Sequence, residues 1–375
     1  MKYIWQENNW FDFKYDKKKL MEPLAKARYV QGNLLGRISA LNIESKTFIE
    51  AQAEVLIEEA LHTSEIEGVI LNKDAVRSSI SVRLGLPQGM VVKDRNVDGL
   101  VDVLLDAVRF YNKPLTMKRM NGWQASLFPT GYSGLQKIRV GKLRGQETMQ
   151  VISGPIGKEK IHFEAPPYSV LKKEMDLFLK WWNSSEGSMD GILRAAVAHL
   201  HFVTIHPYED GNGRIARVLT DMALAQDEKL NIRFYSISSQ IVKMRNEYYD
   251  ILENVQKCKI DITEWFLWFI ECITKAINNS EETLAGVLSR SKFWQKHAQT
   301  EINGRQKKVI NALLEAEPQG FIGGLTTRKY MGITKTSRAT AWREINDMLQ
   351  KKILCQAGGQ GRSVKYVLYK EEKLI

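Results

Sequence analysis

The sequence predicts a mainly α protein: a helical core with a short β-hairpin flap, followed by a C-terminal winged helix-turn-helix domain. Three observations carry this. Apolar residues recur at helical spacing through most of the first 275 residues. Two short apolar runs around Gly154-Pro155-Ile156-Gly157 read as a hairpin inside that helical region. After residue 290 the pattern changes to helix, helix, helix and hairpin within about seventy residues.

The clearest early helix is expected over residues 46–67, where Ile49, Ala53, Leu56 and Ala60 share one face. Gly68 supplies a natural stop. Further helices are expected over 168–182, 191–205 and 213–225, with strands over 149–153 and 160–163. The polar stretch 278–290 reads as a connection. Beyond it, helices are expected over 306–317, 326–331 and 337–351, and strands over 353–357 and 364–369 around Gly358-Gly359-Gln360-Gly361-Arg362. That order is a winged helix-turn-helix, with its third helix as the recognition element. The domain expectation is a helical N-terminal domain at 1–110, a central domain at 111–280 and the winged helix at 290–375.

At 375 residues and 43.0 kDa the chain favours two or three domains. Its 44% hydrophobic and 26% charged content argues against disorder, a collagen-like repeat or a membrane-embedded chain. The first ten residues lack the apolar core of a secretory signal, and the runs 195–205 and 265–270 are too short to span a bilayer. Cys258, Cys272 and Cys355 form no C-x-x-C pair, so a reducing cytoplasm without structural zinc is expected. The net charge of +11 is uneven, since residues 301–375 hold 14 Lys and Arg against 7 Asp and Glu. That fits an acidic partner for the tail or a solvated basic surface.

The chemistry concentrates in His206-Pro207-Tyr208-Glu209-Asp210-Gly211-Asn212-Gly213-Arg214-Ile215-Ala216-Arg217, between two apolar helical runs. Gly211 and Gly213 permit a backbone in which consecutive N–H groups point into one concavity at a helix N-terminus, which suits phosphate oxygens. Arg214 and Arg217 are three apart and can face one polyanion. Asp210 offers a hard oxygen for Mg²⁺, and His206 is the side chain suited to accept a proton near neutral pH. A lone G-N-G would be a mere connection; twelve ordered positions are not. Gly154-Pro155-Ile156-Gly157-Lys158-Glu159 is too short for a P-loop and lacks the Ser or Thr after Lys. His199 and His201, two apart on a helix, point in different directions, and His199 reads as a packed core histidine.

This segment resembles the signature of Fic domains, H-P-F-x-(D/E)-G-N-G-R-x-x-R, from which only Tyr208 departs. The 149–163 hairpin followed by Pro166-Pro167 resembles the family's target-binding flap, and Tyr3-Ile4-Trp5-Gln6 with Trp10 and Phe13 is similar to the opening of longer bacterial Fic proteins that also end in a winged helix. The resemblance implies a Fic-type helical core and a protein adenylyltransferase that uses ATP and Mg²⁺. It implies that His206 deprotonates a Ser, Thr or Tyr hydroxyl of a target protein, that Asp210 holds the metal, and that Gly211, Asn212 and Gly213 steady the α-phosphate. Arg214 and Arg217 would then bind the outer phosphates, with Ile215 and Ala216 between them in the ATP-binding stretch. Asn246 and Tyr248, from Arg245-Asn246-Glu247-Tyr248-Tyr249, would neighbour the adenosine.

Thr63-Ser64-Glu65-Ile66-Glu67-Gly68 matches the family's inhibitory pattern (S/T)-x-x-x-E-(G/N), which implies that Glu67 pairs with Arg217 and disturbs the bound ATP. A guanidinium can grip a carboxylate or a phosphate, not both. In some relatives the same glutamate serves removal of AMP, so a bifunctional enzyme stays open. For the tail, duplex DNA contacted by Lys335, Arg338, Arg343 and Arg362 stands beside protein contacts or a homodimer. The competing whole-chain reading is a DNA-binding regulator that senses nucleotide; His206 favours the enzyme, because a sensor needs no base.

Overall fold

A computed structural model of the chain describes residues 2–39, 46–87, 92–153, 160–257, 260–316, 321–358 and 364–369. A short turn at Ile4–Gln6 leads into α1 (Lys17–Ser39), α2 (Lys46–Ile66), α3 (Lys73–Leu84), α4 (Arg95–Arg109) and α5 (Met117–Leu127). Two small hairpins follow, β1 (Tyr132–Ser133) with β2 (Gln136–Lys137), and β3 (Gln150–Ser153) with β4 (Lys160–Glu164), both antiparallel. The chain then continues through α6 (Tyr168–Ser184), α7 (Gly191–Ile205), α8 (Asn212–Glu228), α9 (Ile237–Lys243), α10 (Arg245–Gln256) and α11 (Thr263–Lys296). Last come α12 (Gly304–Glu315), α13 (Thr327–Thr334), α14 (Arg338–Gln350) and the antiparallel pair β5 (Leu354–Gly358) and β6 (Lys365–Leu368).

Helix starts follow capping chemistry. Asn72, Asp94, Thr116 and Asp190 each accept first-turn N–H groups with their side chains, at α3, α4, α5 and α7 respectively. α7 is apolar nearly all round, and every residue from Ile192 to Ile205 is buried, as such a sequence requires. It packs against α8, and the two form the central pair of the first compact unit, Met1–Ser280. α11 lays Trp265, Phe266, Phe269, Ile273 and Ile277 into the same core, and Trp265 Nε1 donates to Ala196 O on α7 at 2.9 Å. The aromatic opening of the chain packs here too: Trp10, Phe11 and Phe13 surround the His201 ring together with Trp181. Burial without a hydrogen-bond partner drives the His201 pKa down to about 3 and keeps that ring neutral.

The second unit, Glu281–Ile375, has its own core of Val309, Ile310, Leu313, Tyr330, Ile345, Met348 and Leu368. Its order of three helices and a hairpin is the expected one. Two expectations are corrected. The polar stretch 278–290 is not a connection but part of the 34-residue α11: it holds no proline and a single glycine, and polar helix formers change which face is solvated without breaking the helix. The β1/β2 hairpin was not foreseen, because two-residue strands leave no period to read. The turns at 154–157 and 359–362, and with them Arg362, lie outside the described residues.

α4 and α5 approach each other closely at Gly99 and Ser126. A Cβ on Gly99 would stand 1.9 Å from the Ser126 carbonyl oxygen, so only glycine lets the two helices touch there. Gly99→Ala is therefore expected to lower stability by ~1–3 kcal/mol. Gly122→Ala, on α5 with nothing within 4 Å, is expected to be neutral or stabilising by up to ~1 kcal/mol. Equal urea midpoints for Gly99→Ala and the parent would contradict the contact.

Candidate active site

The sequence ends α7 on a residue with a side chain in the left-handed region: His206 has φ 51° and ψ 60°, a conformation that costs a non-glycine residue ~1–2 kcal/mol. The surrounding loop holds it there. Asn212 closes the turn as a two-way clamp, its Oδ1 accepting the Tyr208 N–H at 2.9 Å and its Nδ2 donating to the Tyr208 carbonyl at 2.7 Å. Tyr208 is fully buried, and its hydroxyl donates to Asn121 Oδ1 at 2.9 Å, so the departure from phenylalanine is matched by one acceptor on α5. Arg144 N–H and Nε donate to the carbonyls of Pro207 and His206 at 2.9 and 2.8 Å.

Gly211, at φ 90°, turns the chain into α8, and no side chain caps that helix. Its first-turn N–H groups therefore face the concavity, where the helix dipole favours an anion. Asp210 stands at the mouth, with Oδ1 accepting the Gly211 N–H at 2.5 Å and Oδ2 accepting the Ser133 hydroxyl. Arg214 lies over the Phe128 ring at 4.7 Å, and its Nη2 is 3.9 Å from Asp210 Oδ2.

Arg217 is 2% exposed. Its Nε and Nη2 donate to Thr63 Oγ1 and O at 2.7 and 2.8 Å, and Nη2 also reaches Glu67 Oε1 at 2.7 Å. Burial opposes the Arg217 cation, but Glu67, Tyr248 and Glu59 together outweigh it, so the guanidinium pKa is raised. Two donors remain unsatisfied in this corner, Arg217 Nη1 and Arg214 Nε, both buried and without a hydrogen-bond partner. Nitrogens of Arg77, Arg144 and Arg233 share that condition, so what sets these two apart is their place beside an uncapped helix N-terminus. Gly213 belongs to the same contact: a Cβ there would come within 2.2 Å of Glu67 Oε1. Gly68, at φ 78°, ends the strand of helix that carries Glu67, and Arg245 Nη2 and Tyr249 Oη both donate to the last helical carbonyl, Ile66 O, at 2.8 and 3.1 Å.

A cavity of about 570 Å³ opens onto this corner between β3/β4 and α10, within the usual range for small-molecule sites. Glu67, His206 and Gly213 line it beside Phe163, Tyr248 and Gln256. His162 on β4 pairs with Glu253 on α10, and Lys257 and His162 together hold the Glu253 carboxyl down at about 2. Burial lowers the His206 pKa to about 4, helped by Arg144 and opposed by Glu67 and Asp210, so the ring is neutral at ordinary pH.

Most of the residues singled out in the sequence meet here: Thr63, Glu67, Gly68, His206, Asp210, Gly211, Asn212, Gly213, Arg214, Arg217 and Tyr248. Three do not present side chains. Ile215 and Ala216 are fully buried on the core side of α8, and the Ile215 N–H is already given to Gly211 O. Asn246 is exposed and outside the cavity lining. Cavity-facing positions on α10 run 245, 248, 249, 252, 253, 256, the repeat of one helical face, which leaves 246 off it. That spacing was the available signal for Tyr249, Leu252, Glu253 and Gln256. Nothing local points to Ser133, Asn121 or Arg144. His199, as expected, is core: it sits between Thr220 Oγ1 and Tyr248 Oη at 3.0 and 2.9 Å.

Residues 114–224 match the Fic/DOC family, and residues 3–86 match a family described as a domain of unknown function, DUF4172. The chain is 32% identical over 170 residues to protein adenylyltransferase fic-1 of Caenorhabditis briggsae, covering 44% of this chain and 30% of that one. It is 24% identical over 228 residues to protein adenylyltransferase Fic of Nematostella vectensis, covering 60% and 48%. The match thus spans less than half of either relative. A crystal structure of a Fic family protein from Desulfovibrio desulfuricans aligns over 100% of both chains with a TM-score of 0.50 and 16% identity, a likeness of fold. Among the described residues, no helix is long and apolar enough to cross a membrane.

The neutral imidazole can be checked directly. With ¹⁵N-labelled histidine and His206→Gln for assignment, the His206 ring is expected to titrate with a midpoint near 4 rather than the ordinary 6.5. A midpoint at 6.5 would mean that the ring is not desolvated as described.

Proposed function

The chain carries a Fic/DOC-family domain over residues 114–224, and from that premise we propose that it is a protein adenylyltransferase that moves AMP from Mg·ATP to a hydroxyl side chain of another protein. The observation that carries this is the pair of buried, unpartnered nitrogens, Arg214 Nε and Arg217 Nη1, beside an uncapped helix N-terminus with a neutral histidine on the same wall. Triphosphate oxygens satisfy all of these donors at once. His206 accepts the proton of the target hydroxyl, whose oxygen bonds to the α-phosphorus while the bond to the bridging oxygen breaks and pyrophosphate leaves with the electron pair. The protein's share is positioning and charge neutralisation. The exposed Val151, Ile152 and Ile161 of the β3/β4 hairpin offer an edge to which a target strand can add.

Asp210 is the fitting holder for Mg²⁺: it is a partly exposed carboxylate at the mouth of the nest, with a hydroxyl as its neighbour. Among the described residues no group of three or more His, Cys, Asp or Glu could hold a metal alone, in keeping with an ion that is bound through one carboxylate, waters and substrate phosphates. Such an ion supplies neutralisation of phosphate charge.

Glu67 is the brake in this reading, since its carboxylate occupies the Arg217 donor that a γ-phosphate needs. A charge-assisted bond of this kind is worth ~1.5–3 kcal/mol, so its removal corresponds to roughly 10- to 100-fold. With α-³²P-ATP, Mg²⁺ and cell lysate, Glu67→Gly is expected to raise protein labelling by that factor, and the added change His206→Ala to cut it by ~10²- to 10⁴-fold. Labelling that survives loss of His206 would refute the proposal. Release of AMP from labelled protein by the parent chain would instead identify a bifunctional enzyme.

For the second unit, the exposed Lys335, Arg338, Trp342 and Arg343 at and along α14 favour duplex DNA as partner. Binding to random duplex is expected to weaken steeply with salt and to drop in Arg338→Ala. Salt-insensitive or undetectable binding at low salt would leave this face to protein contacts or a homodimer.

A further inference from the structure

Arg144 lies outside the signature segment, in the stretch between the two hairpins, yet it is 1% exposed and gives its main-chain N–H and its Nε to the active-site loop, while Nη1 is buried without a partner. Its N–H binds the Pro207 carbonyl at 2.9 Å, its Nε binds the His206 carbonyl at 2.8 Å, and its Nη2 binds the Pro166 carbonyl. The first two acceptors belong to the turn that carries the imidazole. The third follows β4, at the root of the flap. The guanidinium therefore sits just past the C-terminus of α7, bound to the carbonyl of the residue that follows the helix, in the position where a cation complements the helix dipole. Among the described residues no other side chain holds the carbonyl of His206, whose left-handed backbone persists only where its surroundings dictate it.

We propose that Arg144 is a positioning residue for the transfer reaction: one buried guanidinium ties the His206 turn to the root of the β3/β4 flap, so that the base and the bound target strand are held in one register. This rests on the adenylyltransferase reading above. A lysine at this position keeps the charge and can reach one carbonyl, but it lacks the planar fork that spans two segments. A methionine fills the space without charge or donors. The charged groups that act on the His206 ring are Arg144, which lowers its pKa, and Glu67 from α2 and Asp210 from the loop, which raise it.

The test uses the full chain with Glu67→Gly, adding Arg144→Lys or Arg144→Met, and follows AMP transfer to protein across pH. Both variants are expected to lose ~30- to 100-fold in kcat with KM for ATP within about threefold, because a displacement on the order of 1 Å is enough for such a loss. The acid limb should move toward the ordinary histidine range in Arg144→Met and stay in place in Arg144→Lys. A folded variant with parental kcat and acid limb, or a loss no greater than its loss of folded protein with the limb unmoved, overturns the proposal. If neither variant folds, hydrogen exchange of the Glu67→Gly chain decides. The Arg144 and His206 amides should share one protection factor, and a freely exchanging Arg144 amide beside a protected His206 overturns it. Absence of transfer by the Glu67→Gly chain itself would count against the adenylyltransferase reading, and the exchange measurement would still judge the tie.

Discussion

The arrangement turns on one buried cation. Arg217 is enclosed on α8, and a guanidinium in that position is tolerable only while its N–H groups are met by oxygen. Thr63 and Glu67 of α2 meet part of that demand, and one nitrogen is left over. The demand is what ties α2 to α8 chemically as well as by packing, and under the proposed function it is what an anion would meet.

Competition follows from the same demand. Glu67 can approach because residue 213 has no Cβ, and its helix end is fixed by Arg245 and Tyr249 on α10, which also line the cavity. The glycine that opens the backbone nest therefore also seats the carboxylate opposite it. On the proposed reading, the Glu67 brake and the bound phosphate would compete for one set of Arg217 atoms, so a substitution that changes one would change the other. The backbone of the loop belongs to a separate system: Asn212 and Arg144 hold the turn through carbonyls and amides, not through the imidazole. Asn212 illustrates the distinction, since its amide closes the turn with its Oδ1 and one Nδ2 hydrogen bond to Tyr208.

Much of this was legible beforehand. The largely apolar run 192–205 reads as a helix, the glycines at 211 and 213 free the backbone, and the family resemblance carried by the Thr63 and Glu67 pattern implies Arg217 as partner, 150 or more residues away. Reading failed where a signal was too short or was misassigned. β1 and β2 are two residues each, so no alternation exists to detect. The polar stretch 278–290 has the polarity of a connection but the propensity of a helix, and it continues α11. Asn246, which the resemblance implies as a neighbour of the adenosine, is exposed and outside the cavity lining, off the α10 face that carries Tyr248.

What the sequence determined by itself was local: residue types with their backbone permissions, the helical faces, and the string of groups able to bind phosphate and take up a proton. Tertiary structure decided which distant groups complete them. Ser133 on Asp210, Asn121 on Tyr208 and Arg144 on the His206 turn carry no periodicity or motif. A buried polar group must find a partner somewhere, but only the packing of α5, the two hairpins and the α7–α8 pair determines which side chain is within reach.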